Sequence, residues 1–103
     1  MFGPKFDGVI EAVHYTPDGQ VAWVRVYERS GAAFSDCVIL DRAKLIERLK
    51  AKKRFVAGRR VPRMAATFDT SVPVRLIREQ GREVLITGYL KREQDYLEGI
   101  PII

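Results

Sequence analysis

A mainly β domain carrying one short helix is predicted by three features of this chain. Apolar and polar residues alternate with period two from Gly8 to Leu40, the spacing turns helical after Asp41, and β-branched runs return on either side of Glu79-Gln80-Gly81. At 103 residues, 47% apolar and 30% charged, the chain suits one domain spanning 1–103 with one core.

The elements follow in order. Residues 8–15 and 21–29 are rich in β-branched and aromatic side chains, and Thr16-Pro17-Asp18-Gly19 stands between them. Pro17 presets φ for a first turn position and Gly19 accepts the positive φ that closes a hairpin. Ser30-Gly31-Ala32 supplies a second turn, so residues 34–40 read as a third strand completing a meander. Asp41 is placed to cap a helix, its carboxylate accepting the free amides of the first turn. Leu45, Ile46 and Leu49 then fall on one face, which predicts an amphipathic helix over 42–52. Residues 54–57 read as a strand stopped near Gly58, and 64–68 as another after Pro62. Residues 74–78 and 82–87 form a second hairpin across Glu79-Gln80-Gly81, with Gly81 in the left-handed position. Tyr89 to Glu98 read as a C-terminal helix followed by an apolar tail, so 89–103 forms a terminal unit of the same domain.

Hairpin, third strand, helix and further strands is the element order of a small, partly open OB-like or SH3-like barrel, with the one helix between strands 3 and 4. A β-sheet with one covering helix fits the same order.

Charge is distributed unevenly. Residues 42–63 carry ten Lys or Arg against the single acid Glu47, a local net charge of +9 in a chain whose total is +5. The remainder is therefore net negative, and the basic window is a local field that favours a polyanionic partner. Within it, Arg59 and Arg60 after Gly58 fall at a strand end or loop, where several guanidiniums can meet one phosphate backbone, with Arg54 and Arg63 on either side of them in the chain. Alternation in residues 21–29 offers a companion surface. If Ala22, Val24 and Val26 face the core, then Trp23, Arg25, Tyr27 and Arg29 face outward together, an aromatic and cationic face suited to stacking single-stranded bases. The opposite phase buries Trp23 and Tyr27, the largest apolar bodies in the strand. Lys50, Lys52 and Lys53, at the end of the predicted helix, also complement its negative end without any ligand.

Catalytic and metal chemistry find little support. His14 is the single histidine and Cys37 the single cysteine, too few for a structural zinc site, and the aspartates lie singly in turns and caps. The glycines form no phosphate loop or dinucleotide fingerprint. No cofactor is expected. No apolar run reaches the length of a membrane span and residues 1–5 lack the apolar stretch of a secretion signal, so the cytoplasm is the expected compartment.

These readings converge on a non-enzymatic binding module for nucleic acid or another polyanion, carried by Arg54, Arg59, Arg60 and Arg63 with Trp23, Arg25 and Tyr27 as a stacking face. The alternative is a protein-interaction or homodimerising domain that uses its strand edges and the apolar residues 89–103.

Overall fold

The computed structural model describes residues 6–30, 33–34, 37–60, 68–88 and 92–103. Seven strands and one helix follow in the order β1 (Gly8–Tyr15), β2 (Val21–Ser30), β3 (Ala33–Phe34), β4 (Val38–Asp41), α1 (Arg42–Lys50), β5 (Phe55–Arg60), β6 (Phe68–Glu79) and β7 (Arg82–Thr87). The fold is mainly β, as the alternation predicts.

Both hairpins form at the turns that encode them. Gly19 has φ +89°, and the Gly19 N–H donates to the Thr16 carbonyl at 3.0 Å. In the second hairpin Glu79 pairs directly with Arg82, and Gln80 (φ 53°) and Gly81 (φ 79°) make a two-residue turn with both residues left-handed. The predicted third strand is divided into β3 and β4, which pair with successive parts of β2 along the same edge.

The strands make one sheet in the order β3-β2-β1-β5-β6-β7, with β4 also on β2, and this sheet is not closed into a barrel. Two antiparallel meanders are joined at its centre by the parallel pair β1·β5, registered Gly8↔Phe55 to Ile10↔Ala57. Helix α1 makes the crossover that a parallel pair requires. Gly58 does not stop β5. It lies inside the strand opposite Thr70, beside a register shift, so β5 extends to Arg60.

Gly8 is small for a steric reason. A Cβ there would stand 2.7 Å from Cδ2 of the Phe55 ring, which is itself fully buried and has no room to withdraw. Gly8→Ala is expected to cost about 1–3 kcal/mol by overpacking. Thermal unfolding checks this at roughly 4–8 °C in Tm per kcal/mol.

The core lies between the open sheet and α1. Ile10, Val24, Val26, Phe55 and Leu85 meet Leu45 and Ile46 of the helix. Val24 and Val26 are fully buried while Trp23, Arg25 and Tyr27 are half-exposed, so the outward phase of the aromatic residues is the one adopted. Val24 and Val26 pack in the same buried cluster as Leu45 and Ile46 of α1.

The C-terminal helix is a point of correction. Residues 89–91 lie outside the described residues, but 92–98 are not helical. Tyr96 bridges in parallel to Ile86, its N–H donating to the Leu85 carbonyl at 2.8 Å, and Ile102 bridges in parallel to Val13. Leu97 and Ile100 enter the core between these bridges. Pairing with β7 and β1 thus overrides the helical spacing of the apolar residues. The strand expected at 64–68 falls outside the described residues except for Phe68, which opens β6.

Helix α1 begins as Asp41 predicts, with Oδ1 accepting from Lys44 N at 2.8 Å. It ends two residues earlier than the spacing suggests. Lys52 N donates to Leu49 O and Lys53 N to Arg48 O, at 3.0 and 3.1 Å, the hydrogen-bond pair of a Schellman stop. The residue in the left-handed position of that stop is Lys52, at φ 66°, where glycine is the usual occupant.

Candidate functional site

Among the described residues, the cations of the basic window do not form one surface. Arg42, Arg48 and Lys50 are engaged with carboxylates: Arg42 with Asp95 at 2.8 Å, Arg48 with Glu28 at 3.0 Å, and Lys50 with Glu83 at 2.5 Å. The Lys50 hydrogen bond, with the fields of Lys50, Arg78 and Arg42, holds the Glu83 carboxyl below the usual range against some desolvation. These cations serve to pin α1 to β2, β7 and the C-terminal segment.

Four others stand apart. Lys44, Lys52, Lys53 and Arg54 are exposed, and no carboxylate among the described residues lies within ion-pair distance of their side chains. Three of them, Lys52, Lys53 and Arg54, are consecutive in the turn between α1 and β5. Arg59 and Arg60 sit at the other end of β5, about five residues or roughly 17 Å further along the strand. Arg59 lines a separate cleft of about 240 Å³, where β5 diverges from β1 and the C-terminal segment takes its place beside Ile10 and Glu11. The side chain of Arg60 and the whole of Arg63 lie outside what is described. The structure therefore brings Arg54 together with Lys52 and Lys53, and does not bring it together with Arg59.

The aromatic face is on the page but differently furnished. Trp23 stacks on His14, with ring centroids 5.1 Å apart and planes 16° from parallel. His14 Nδ1 in turn lies 2.6 Å from the Ile103 carbonyl oxygen. Arg25 meets Glu11 at 3.6 Å and Arg29 meets Asp7 at 3.1 Å, so both cations of this face are balanced by carboxylates. Asp7 also accepts from the Arg54 main-chain N–H at 2.9 Å. That bond, with the neighbouring Arg29 guanidinium, outweighs desolvation and lowers the Asp7 carboxyl below its ordinary value. A negative group thus stands between the β2 face and the Lys52-Lys53-Arg54 turn. Cys37 donates to Glu11 Oε1 at 3.4 Å, and desolvation, this bond and the Glu11 charge push its thiol up to about 11. It remains protonated near neutrality and is a poor nucleophile.

Beside the cationic turn lies a groove of about 500 Å³ between the end of α1 and the sheet. Its walls are Leu49, Val56, Pro73 and Leu76, with Lys53 and Arg54 at its rim. Leu49 and Leu76 are partly buried against the core and supply the apolar floor. Leu76 was not singled out by pattern as a binding residue, and Lys52 and Lys53 stood only as members of the basic window. Their signal was a helix end without a glycine, followed at once by three cations and a strand.

Among the described residues no group of three or more His, Cys, Asp or Glu converges in a way that could hold a metal ion. No helix among them is long and apolar enough to cross a membrane. Comparison with protein-family models, curated proteins and solved structures finds no match to this chain.

Proposed function

We infer that the chain is a non-enzymatic interaction module that takes an acidic polypeptide segment at the Lys52-Lys53-Arg54 turn and the groove beside it. One observation carries the reading. Lys52 holds a left-handed backbone that costs an L-residue on the order of 1 kcal/mol relative to glycine, and its side chain is exposed, next to two more cations whose side chains form no ion pair with a described carboxylate, the nearby Asp7 feeling the field of Lys53 alone of the two. A purely structural helix stop is better served by glycine. A charge retained there at a cost in stability is explained by an anionic partner.

The groove selects the kind of anion. Its floor is aliphatic, and the one aromatic ring among its described lining residues, Phe55, is 1% exposed and cannot stack on a base. Peptide side chains fill such a floor, while cations at the rim speed encounter and set specificity.

Single-stranded nucleic acid is the second reading, favoured by the outward display of Trp23, Arg25 and Tyr27 on β2. Its two halves, rings and unbalanced cations, lie on different parts of the surface with Asp7 between them. A barrel of OB-like or SH3-like kind would be the matching scaffold, and the open sheet supports only the mainly β part of that description.

Titration of the intact chain with a labelled Glu-rich peptide and with a single-stranded oligonucleotide of equal charge tests the assignment. The peptide is expected to bind, to weaken as salt rises, and to weaken about tenfold or more in Lys53→Glu with Arg54→Glu, a loss of roughly 1.4 kcal/mol or above. Arg59→Glu with Arg60→Glu is expected to leave its affinity within about twofold. Binding of the oligonucleotide alone, or dependence on Arg59 and Arg60 instead, overturns the reading. Lys52→Gly separates stability from binding. It is expected to stabilise the fold by about 0.5–1 kcal/mol in urea unfolding and to weaken the peptide.

A further inference from the structure

β6 is twice as long as β5, and the surplus is placed at the groove. Pairing with β5 runs from Phe68 to Val74, and pairing with β7 runs from Val74 to Glu79. From Arg75 to Glu79, then, β6 has a strand on one side only among the described residues. The open side is the one that faces Lys53, Arg54 and the apolar floor.

The hairpin turn decides which main-chain groups are on that side. In a two-residue hairpin the residues flanking the turn exchange both main-chain hydrogen bonds, and the pattern then alternates. Glu79, Ile77 and Arg75 therefore direct N–H and C=O toward β7. The Pro73 carbonyl obeys the same phase, accepting from Gly88 N on the β7 side at 2.9 Å. Leu76 and Arg78 are left with N–H and C=O directed to the open edge, in the geometry that accepts an added strand.

We propose that the acidic segment binds by strand addition, antiparallel to the unpaired half of β6, with an apolar side chain opposite Leu76 and acidic side chains opposite Arg75 and Arg78. This rests on the reading of the turn and groove as a site for an acidic polypeptide, and it specifies the mode and the pattern. Directly opposed residues share a face of the sheet. The residue opposite Leu76 points toward Leu49 and fills the floor. The residue opposite Ile77 lies on the other face and suits a β-branched side chain. Arg78 is largely exposed and meets Glu83 only at 3.8 Å, so a peptide carboxylate opposite it adds a closer partner. Lys53 and Arg54 supply the field around the acid opposite Arg75. In the antiparallel direction the core pattern reads acid, β-branched, apolar, acid.

The test uses the intact chain and peptides containing Glu-Val-Leu-Glu between short neutral flanks. A peptide with the same residues as Leu-Val-Glu-Glu is the comparison, because with its Leu opposite Leu76 it has no acid opposite either Arg78 or Arg75. The first is expected to bind at least tenfold tighter and to slow hydrogen exchange at the Leu76 and Arg78 amides. N-methylation at the Leu of the peptide, whose N–H pairs with Leu76, is expected to abolish binding, whereas N-methylation at the Val, whose N–H faces away, leaves it within a few fold. Equal binding of both orders, or binding without protection of those two amides, overturns strand addition while the acidic-segment reading stands. Failure of every acidic peptide to bind overturns both.

Discussion

Asp95→Ala is expected to lower the unfolding free energy by about 3–5 kcal/mol at neutral pH, the cost of removing one partner from a buried ion pair. The Asp95 side chain is 2% exposed and holds three parts of the chain together. Oδ2 accepts from Val21 N at 2.9 Å and Arg42 Nε at 2.8 Å, and Oδ1 accepts from Leu85 N at 2.9 Å and from the Arg42 guanidinium at 3.2 Å. Every group facing it is a donor. Asn in its place would turn an amide NH₂ toward donors on one side, so Asp95→Asn is expected to be nearly as damaging as Ala. Replacing both charges, Arg42→Met with Asp95→Leu, is not expected to restore the fold fully, because the Val21 and Leu85 amides lose their acceptor at about 1–3 kcal/mol each. Urea unfolding of the three variants checks this; a loss below 1 kcal/mol for Asp95→Ala would show that the hub carries no weight.

The same carboxylate sets an acid dependence. Burial raises its pKa, but the Arg42 hydrogen bond and the Leu85 and Val21 amides outweigh burial and bring it below the ordinary aspartate value. A group whose folded pKa lies below its unfolded one contributes stability that is complete above the unfolded value and is lost as pH falls through the folded one. The contribution is therefore expected to be full at neutral pH and to decline only below about pH 4. Asp7 and Glu83, also lowered, act in the same direction.

Leu97→Ala is expected to cost about 2–5 kcal/mol, a large share of the roughly 5–15 kcal/mol that holds a typical small domain folded. Leu97 is 1% exposed and sits in the core beside Ile100, and its N–H donates to the Tyr15 hydroxyl at 2.8 Å. A chain ending before Leu97 loses both apolar groups and the bridge to Val13. It is expected to unfold, rather than to remain a folded monomer released from a dimer. Ile103→Ala, at a residue 44% exposed, serves as the control and is expected to stay within about 0.5 kcal/mol. Leu97 and Ile100 thus have their partners in this sheet, while Ile102 and Ile103 stay exposed. Sedimentation of the intact chain and of Leu97→Ala distinguishes the two accounts, since a dimer held by this segment would dissociate in the variant without loss of fold.

What could be read in advance was local. Gly19 and Gly81 mark the two hairpins because a left-handed turn residue excludes most other side chains, and Asp41 marks the helix start because the free amides of the first turn demand an acceptor. The alternation of β2 was legible too, but its phase was not. Burial of Val24 and Val26 in preference to Trp23 and Tyr27 goes with their packing in one cluster with Leu45 and Ile46 of α1. Arg59 illustrates the same limit at the candidate site. In the chain it is five residues from Arg54, yet a strand running straight between them puts the two at opposite ends of β5.

Composition and spacing alone determine that this is a mainly β domain with one capped helix, two tight hairpins and a concentrated positive charge, since each of those is settled by residues within a few positions of one another. The parallel pairing of β1 with β5, the recruitment of Asp95 and Leu97, the neutralisation of Arg42, Arg48 and Lys50, and the half of β6 that has one strand neighbour among the described residues are decided only when distant segments meet. Their energies are long-range pairing and burial terms, and these have no local counterpart in the sequence.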